Sequence, residues 1–91
     1  MINYHLIISG QVQGVGFRWG CYQLAQQIGI SGFVKNLPNG QVYLEVQGEP
    51  AAVARFVAQV KNGPTPYARV DHLIKHPAPC QNYGESFTIR R

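Results

Sequence analysis

Acidic residues are scarce in this chain, with four aspartates and glutamates against eight lysines and arginines in 91 residues, a formal net charge of +4. The four acids, Glu45, Glu49, Asp71 and Glu85, are dispersed, so the sequence offers no paired-carboxylate site for general acid–base work. Cysteine is almost as sparse. Cys21 and Cys80 lack any C-x-x-C partner, and a zinc site would need four ligands at short spacings. With no secretion signal, both thiols are expected reduced, and Cys21, on an apolar stripe, is expected in the core. His5, His72 and His76 stand far apart in or beside strands and read as surface or capping residues, so no metal is expected.

Other absences narrow the setting. No apolar run reaches the 18 residues that mark a membrane-spanning helix. The first residues, Met1 to His5, carry no basic segment or cleavage site, so the chain is expected to stay in the cytoplasm. Arg90 and Arg91 are the only adjacent basic residues, so the positive charge is not gathered into the block that marks nucleic-acid binding. A modest positive field of this kind favours small anions. Of the nucleotide motifs, G-x-x-x-x-G-K-[ST] is missing, and Gly14, Gly16 and Gly20 fall one residue off the dinucleotide fingerprint.

What remains is the composition of one small globular domain, residues 1–91. Apolar residues make up 45% of the chain, enough for a core, and the charged fraction of 13% argues against disorder. Residues 4–9 read as a mostly buried strand. From Phe17 the period changes: Phe17, Cys21, Leu24, Ala25 and Ile28 form one helical stripe, with Gly29 placed to end it. Ser31 to Asn36 is a second strand. Leu37-Pro38-Asn39-Gly40 is a turn, and Gln41 to Gln47 alternates as the partner strand of a hairpin. Pro50 opens a second helix with Val53, Phe56, Val57 and Val60 on its apolar face, stopped by Gly63-Pro64. Ala68 to His76 reads as a strand with Val70 and Ile74 on one face. Pro77 to Gly84 reads as a loop, and Phe87 to Arg90 as a terminal strand. This order predicts an α+β fold, the ferredoxin-like βαββαβ sandwich: an antiparallel sheet of four to five strands with two helices on one face.

The stretch Gly10-Gln11-Val12-Gln13-Gly14-Val15-Gly16-Phe17-Arg18, between the first strand and first helix, reads either as a glycine-rich turn that merely connects the two elements or as an anion-binding loop. Glycines let the backbone turn tightly without a Cβ in the way. Successive amides in such a turn can converge on an anion, and the loop runs into a helix N-terminus, where free N–H groups and the macrodipole add to the attraction. Arg18 lies in the first helical turn, where a cation opposes the dipole. That placement makes sense with an anion between them, and the guanidinium fork suits two phosphate oxygens.

This stretch resembles the signature of the acylphosphatase family, G-x-V-Q-G-V-x-F-R. A second family signature, a G-[FYW]-V-x-N strand end with a turn and glycine after it, is matched by Gly32-Phe33-Val34-Lys35-Asn36-Leu37-Pro38-Asn39-Gly40. The resemblance covers essentially the whole chain. It implies hydrolysis of the carboxyl–phosphate bond of acyl phosphates without metal or cofactor. It also implies catalytic roles for Arg18 and Asn36 and a phosphate cradle in the backbone of Gln13, Gly14, Val15, Gly16, Phe17 and Arg18. The substrate is then a small acyl phosphate, with inorganic phosphate or sulfate as competitive ligands, and a monomer is expected.

Two residues beside Arg18 depart from expectation. Relatives often have a hydroxyl residue where this chain has Cys21, and Gly20 costs about 1 kcal/mol against alanine inside a helix, which loosens the expected first turn. Trp19, next to Arg18, is read as partly exposed: a plain surface aromatic, a shield for the site or a contact for the acyl group. The alternative to an enzyme is a non-catalytic ferredoxin-like module binding anions or RNA, since the same plan serves both. Against RNA, the strand QVYLEVQ lacks the recognition motif of such domains, and Tyr4, Tyr22, Tyr43, Tyr67 and Tyr83 do not form their two-strand aromatic pair.

Overall fold

In the computed structural model, which describes residues 1–91, the alternating segments form β1 (Ile2–Gln11), β2 (Ser31–Asn36), β3 (Val42–Gly48), β4 (Arg69–Ala78) and β5 (Phe87–Arg90). The segments of helical period form α1 (Phe17–Ile28) and α2 (Pro50–Lys61). Gly29 ends α1 in the left-handed conformation, and Pro50 sits in the first turn of α2, as their sequence positions predict. The five strands make one sheet in the order β4-β1-β3-β2-β5.

Four of them pair antiparallel, but β5 runs parallel to β2, so the sheet is mixed rather than wholly antiparallel. Chain direction explains this. β4 is antiparallel to β1, and β1 runs with β2, so a single reversal after β4 delivers β5 to the far edge in the direction of β2.

The two helices cover one face. Leu6 and Ile8 of β1, Val34 of β2, and Val42, Leu44 and Val46 of β3 share one buried cluster with Phe17, Cys21 and Ala25 of α1 and Val53, Phe56 and Val60 of α2. Phe87 brings β5 into the same cluster, its ring 6.0 Å from that of Phe56. Alternate residues point to the other face, as the period of two requires.

β4 differs from its reading in two ways. It continues through Pro77, which pairs with Tyr4. β4 is an edge strand, where a residue without an N–H leaves no outer neighbour short of a donor. A bulge at Ser9/Gly10 also shifts the register, so that Gly10 faces Val70 while Ile7 faces Ile74. Val70 and Ile74 therefore lie on opposite faces: Val70 packs on the core, and Ile74 is exposed.

The face without helices holds a polar network. Glu45 Oε2 accepts from the Tyr43 hydroxyl and Oε1 from the Tyr83 hydroxyl, each at 2.7 Å, and His5 Nε2 lies 3.6 Å from Oε2. Asn3 Nδ2 donates to Gln47 Oε1 and to Tyr83 Oη, both at 3.0 Å. Gln47 also exchanges two hydrogen bonds with the backbone of Gln81. The segment between β4 and β5 is thereby tied across the sheet. Burial alone would push the Glu45 carboxyl up, but the two tyrosine hydroxyls, with His5 and Arg90 nearby, outweigh it and hold the carboxyl below its ordinary value. The same contacts work the other way on the phenols: burial and the Glu45 charge raise Tyr43, and Tyr83 is pushed up to about 12.

A carboxyl held low in the folded state stabilises the fold above its unfolded pKa of about 4.3, and that contribution fades as pH falls through the folded value. The urea midpoint of wild type should therefore exceed that of Glu45→Gln most at pH 7, with the gap closing toward pH 3. A gap of equal size at both pH values would show that the charge of Glu45 contributes nothing to folding.

Candidate active site

β1 and α1 are joined by a turn in which Gly14 and Gly16 adopt left-handed backbone angles, with φ of 75° and 74°. Val15 between them has no positive φ. Such alternation of handedness aims neighbouring N–H groups toward one side, and side chains with a Cβ resist it at the two glycine positions. The amides from Gln13 to Trp19 donate to no backbone acceptor in the protein; the first bond of the helix is Gly20 N–H to Gly16 O at 2.9 Å. No side chain caps α1 and its first turn holds no acid. A helix start left open in this way is a place for an anion.

Side chains from distant segments hold the turn in place. Gln13 Nε2 donates to both Leu37 O and Gln41 O at 2.8 Å, which ties the turn to the β2–β3 hairpin. Thr65 Oγ1, from the segment between α2 and β4, donates to Val15 O at 3.0 Å. Val12 is buried beneath. Gly20 does the opposite of loosening the first turn. A Cβ there would stand 2.9 Å from Pro64 O and from Thr65 Cγ2, so only glycine lets the 63–65 segment close on α1 and reach Val15.

The turn forms one wall of a pocket of about 230 Å³ lined by Gly14, Gly16, Phe17 and Arg18, with Asn36 and the apolar side chains of Val12, Trp19 and Ile89 completing it. Arg18 is half-buried, and its Nη1 donates to Arg90 O at 3.1 Å, so β5 steadies the guanidinium. Asn36 ends β2 on the helix side of the sheet, in register with Val42. Its Oδ1 is buried and has no hydrogen-bond partner. An orphaned acceptor of this kind costs about 1–3 kcal/mol unless a water or ligand meets it.

Sequence reasoning brought Arg18, Asn36, Gly14, Gly16 and Phe17 to one pocket. Gln13 and Val15 do not line it: the Gln13 side chain turns to the hairpin and Val15 packs on the core, leaving only their backbone toward the turn. Thr65, Ile89 and the Arg90 carbonyl escaped notice, because each reaches the site through a contact between residues far apart in sequence. Cys21 is fully buried, and burial pushes its thiol well up, which keeps it neutral and unreactive. His5 lies on the opposite face and His72 and His76 on β4. No three His, Cys, Asp or Glu side chains converge anywhere in the chain to hold a metal.

A family model described as acylphosphatase matches residues 4–89. The acylphosphatase of Archaeoglobus fulgidus is 44% identical over 89 residues, which cover 98% of each chain. The crystal structure of acylphosphatase from Bacillus subtilis matches at a TM-score of 0.94 and 33% identity over 100% of both chains. A crystal structure of full-length HypF, in a phosphate- and nucleotide-bound form, matches all of this chain and 12% of its own at a TM-score of 0.85 and 29% identity. With nearly its whole length inside the family model and relatives of equal length beside it, this chain belongs to the acylphosphatase family and is a hydrolase of acyl phosphates.

Proposed function

We propose that residues 1–91 act as one catalytic domain in which Arg18 and the amides of Gln13 to Arg18 hold the phosphoryl group while Asn36 orients the attacking water. The observation that carries this reading is a run of unpaired amide donors and an unpaired buried acceptor at one pocket. The donors suit phosphate oxygens. The acceptor suits a water proton, and a water so held has its lone pair free for phosphorus. The water oxygen bonds to phosphorus as the bond from phosphorus to the acyl oxygen breaks. The electron pair leaves with the carboxylate, and the water proton passes to a phosphate oxygen, since an amide is too weak a base to keep it. Positioning and charge stabilisation carry most of the barrier in phosphoryl transfer, and a carboxylate leaves readily.

Inorganic phosphate and sulfate fit the same donors and act as competitive ligands. Work in the cytoplasm is consistent with two unpaired cysteines. The RNA-binding alternative is disfavoured by the open face of the sheet. Phe33 and Tyr43 do lie 5.9 Å apart there, but Arg90 covers the Phe33 ring at 3.8 Å and Tyr83 closes its edge, so no base can stack on it.

Arg18→Ala is expected to lower kcat/KM for benzoyl phosphate by about 10²–10³, and Arg18→Lys nearly as far, because an ammonium cannot make the two-pronged contact. More than a tenth of wild-type activity in Arg18→Ala would contradict the assignment.

Asn36 acts on the nucleophile, so its loss should fall on kcat. Asn36→Ala is expected to be folded and close to inactive, with a phosphate inhibition constant within about threefold of wild type. A large rise in KM with kcat intact would instead make Asn36 a substrate ligand.

A further inference from the structure

The phosphate side of the pocket is polar, but the rest of its lining is not. Five large hydrophobic side chains are exposed in this chain, and two of them, Trp19 at 57% and Ile89 at 39%, stand on this one pocket. They come from different elements on either side of Arg18. Trp19 follows it directly on α1, and Ile89 precedes Arg90, whose carbonyl accepts from the Arg18 guanidinium. The indole stacks on Tyr22, one helical turn on, with centroids 5.3 Å apart and planes 17° from parallel. A large apolar surface beside an anion site, left to water, suits a ligand that is anionic at one end and apolar at the other. The pocket of about 230 Å³ falls below the roughly 300–1,000 Å³ of sites that take drug-sized molecules, so that ligand is small.

Resting on the phosphate placement proposed above, we infer that Trp19 and Ile89 form the seat of the acyl group. The seat makes the chain selective for acyl phosphates with a flat or branched hydrocarbon acyl group, such as benzoyl, over small or polar ones such as acetyl and carbamoyl. An acetyl group covers little of the indole, and a carbamoyl group or a charged acyl group leaves polar atoms against it. Contact with the acyl hydrocarbon is much the same before and during reaction, so the preference belongs in KM and kcat/KM rather than in kcat.

The test compares kcat/KM for benzoyl and acetyl phosphate in wild type, Trp19→Ala and Ile89→Ala. The ratio of benzoyl to acetyl is expected to fall about tenfold in Trp19→Ala, within the range that apolar pocket contacts discriminate, and in the same direction in Ile89→Ala. Trp19→Phe, which keeps an aromatic face, should restore most of the ratio. Equal losses on both substrates, or no change in either variant, would overturn the acyl seat. Competition by inorganic phosphate in wild type separates this from the reading on which it rests. If phosphate fails to compete, the anion site itself is misplaced; if phosphate competes and the ratio does not move, only the acyl seat is wrong.

Discussion

A backbone whose amides meet no acceptor in the fold gives up the bonds that would ordinarily hold it, so something else has to fix it. The turn from Gln13 to Arg18 is in this position, and the rest of the architecture reads as its support. Gln13 borrows two carbonyls of the β2–β3 hairpin, Thr65 reaches Val15 from beyond α2, and Arg18 leans on the last strand. Each partner is remote in the chain, so the turn is shaped only once the sheet is assembled. The sheet order supplies the proximity. β1 lies beside β3 and β3 beside β2, which puts the end of β1 next to the hairpin that carries Asn36. The mixed sheet has the same consequence: β5, arriving parallel to β2, sets Ile89 and the Arg90 carbonyl at the pocket.

The two faces of the sheet divide the work. The helix face buries the apolar cluster and ends in the pocket, while the opposite face ties the β4–β5 segment down through Glu45, Tyr83, Asn3 and Gln47. That segment must cross from one edge of the sheet to the other for β5 to arrive at all. A polar network far from the chemistry thus has a bearing on it, because the strand it delivers steadies Arg18. The low carboxyl of Glu45 lies on this opposite face, bonded to Tyr43 and Tyr83.

Elements whose cause is local were legible in the sequence. The stripe from Phe17 to Ile28, Gly29 at its end, Pro50 at a helix start and the Pro-Asn-Gly turn all act within a few residues, and the structure follows them closely. Arg18 and Asn36 were legible as candidates for a different reason: each sits in a recognisable string, and the two line one pocket. Features set by tertiary placement were not. Pro77 argues for a loop unless its strand is known to lie at an edge, and Val70 and Ile74 share a face unless a bulge separates them. Gly20 shows the limit most plainly. Helix propensity reads it as a defect, and only the approach of Pro64 and Thr65 shows that a side chain there would push the brace off the turn.

The claim on which all of this depends is that the Gln13–Arg18 turn is built for a phosphate, and thermal unfolding tests it directly. A ligand bound only by the folded state at a hundredfold excess over its Kd stabilises by about 2.7 kcal/mol. For a domain of this size that raises Tm on the order of 10 °C. Tm should rise by this order in saturating phosphate relative to chloride of the same ionic strength, and Arg18→Ala should lose most of the rise. A Tm indifferent to phosphate at tens of millimolar, or an equal rise in Arg18→Ala, would contradict the account.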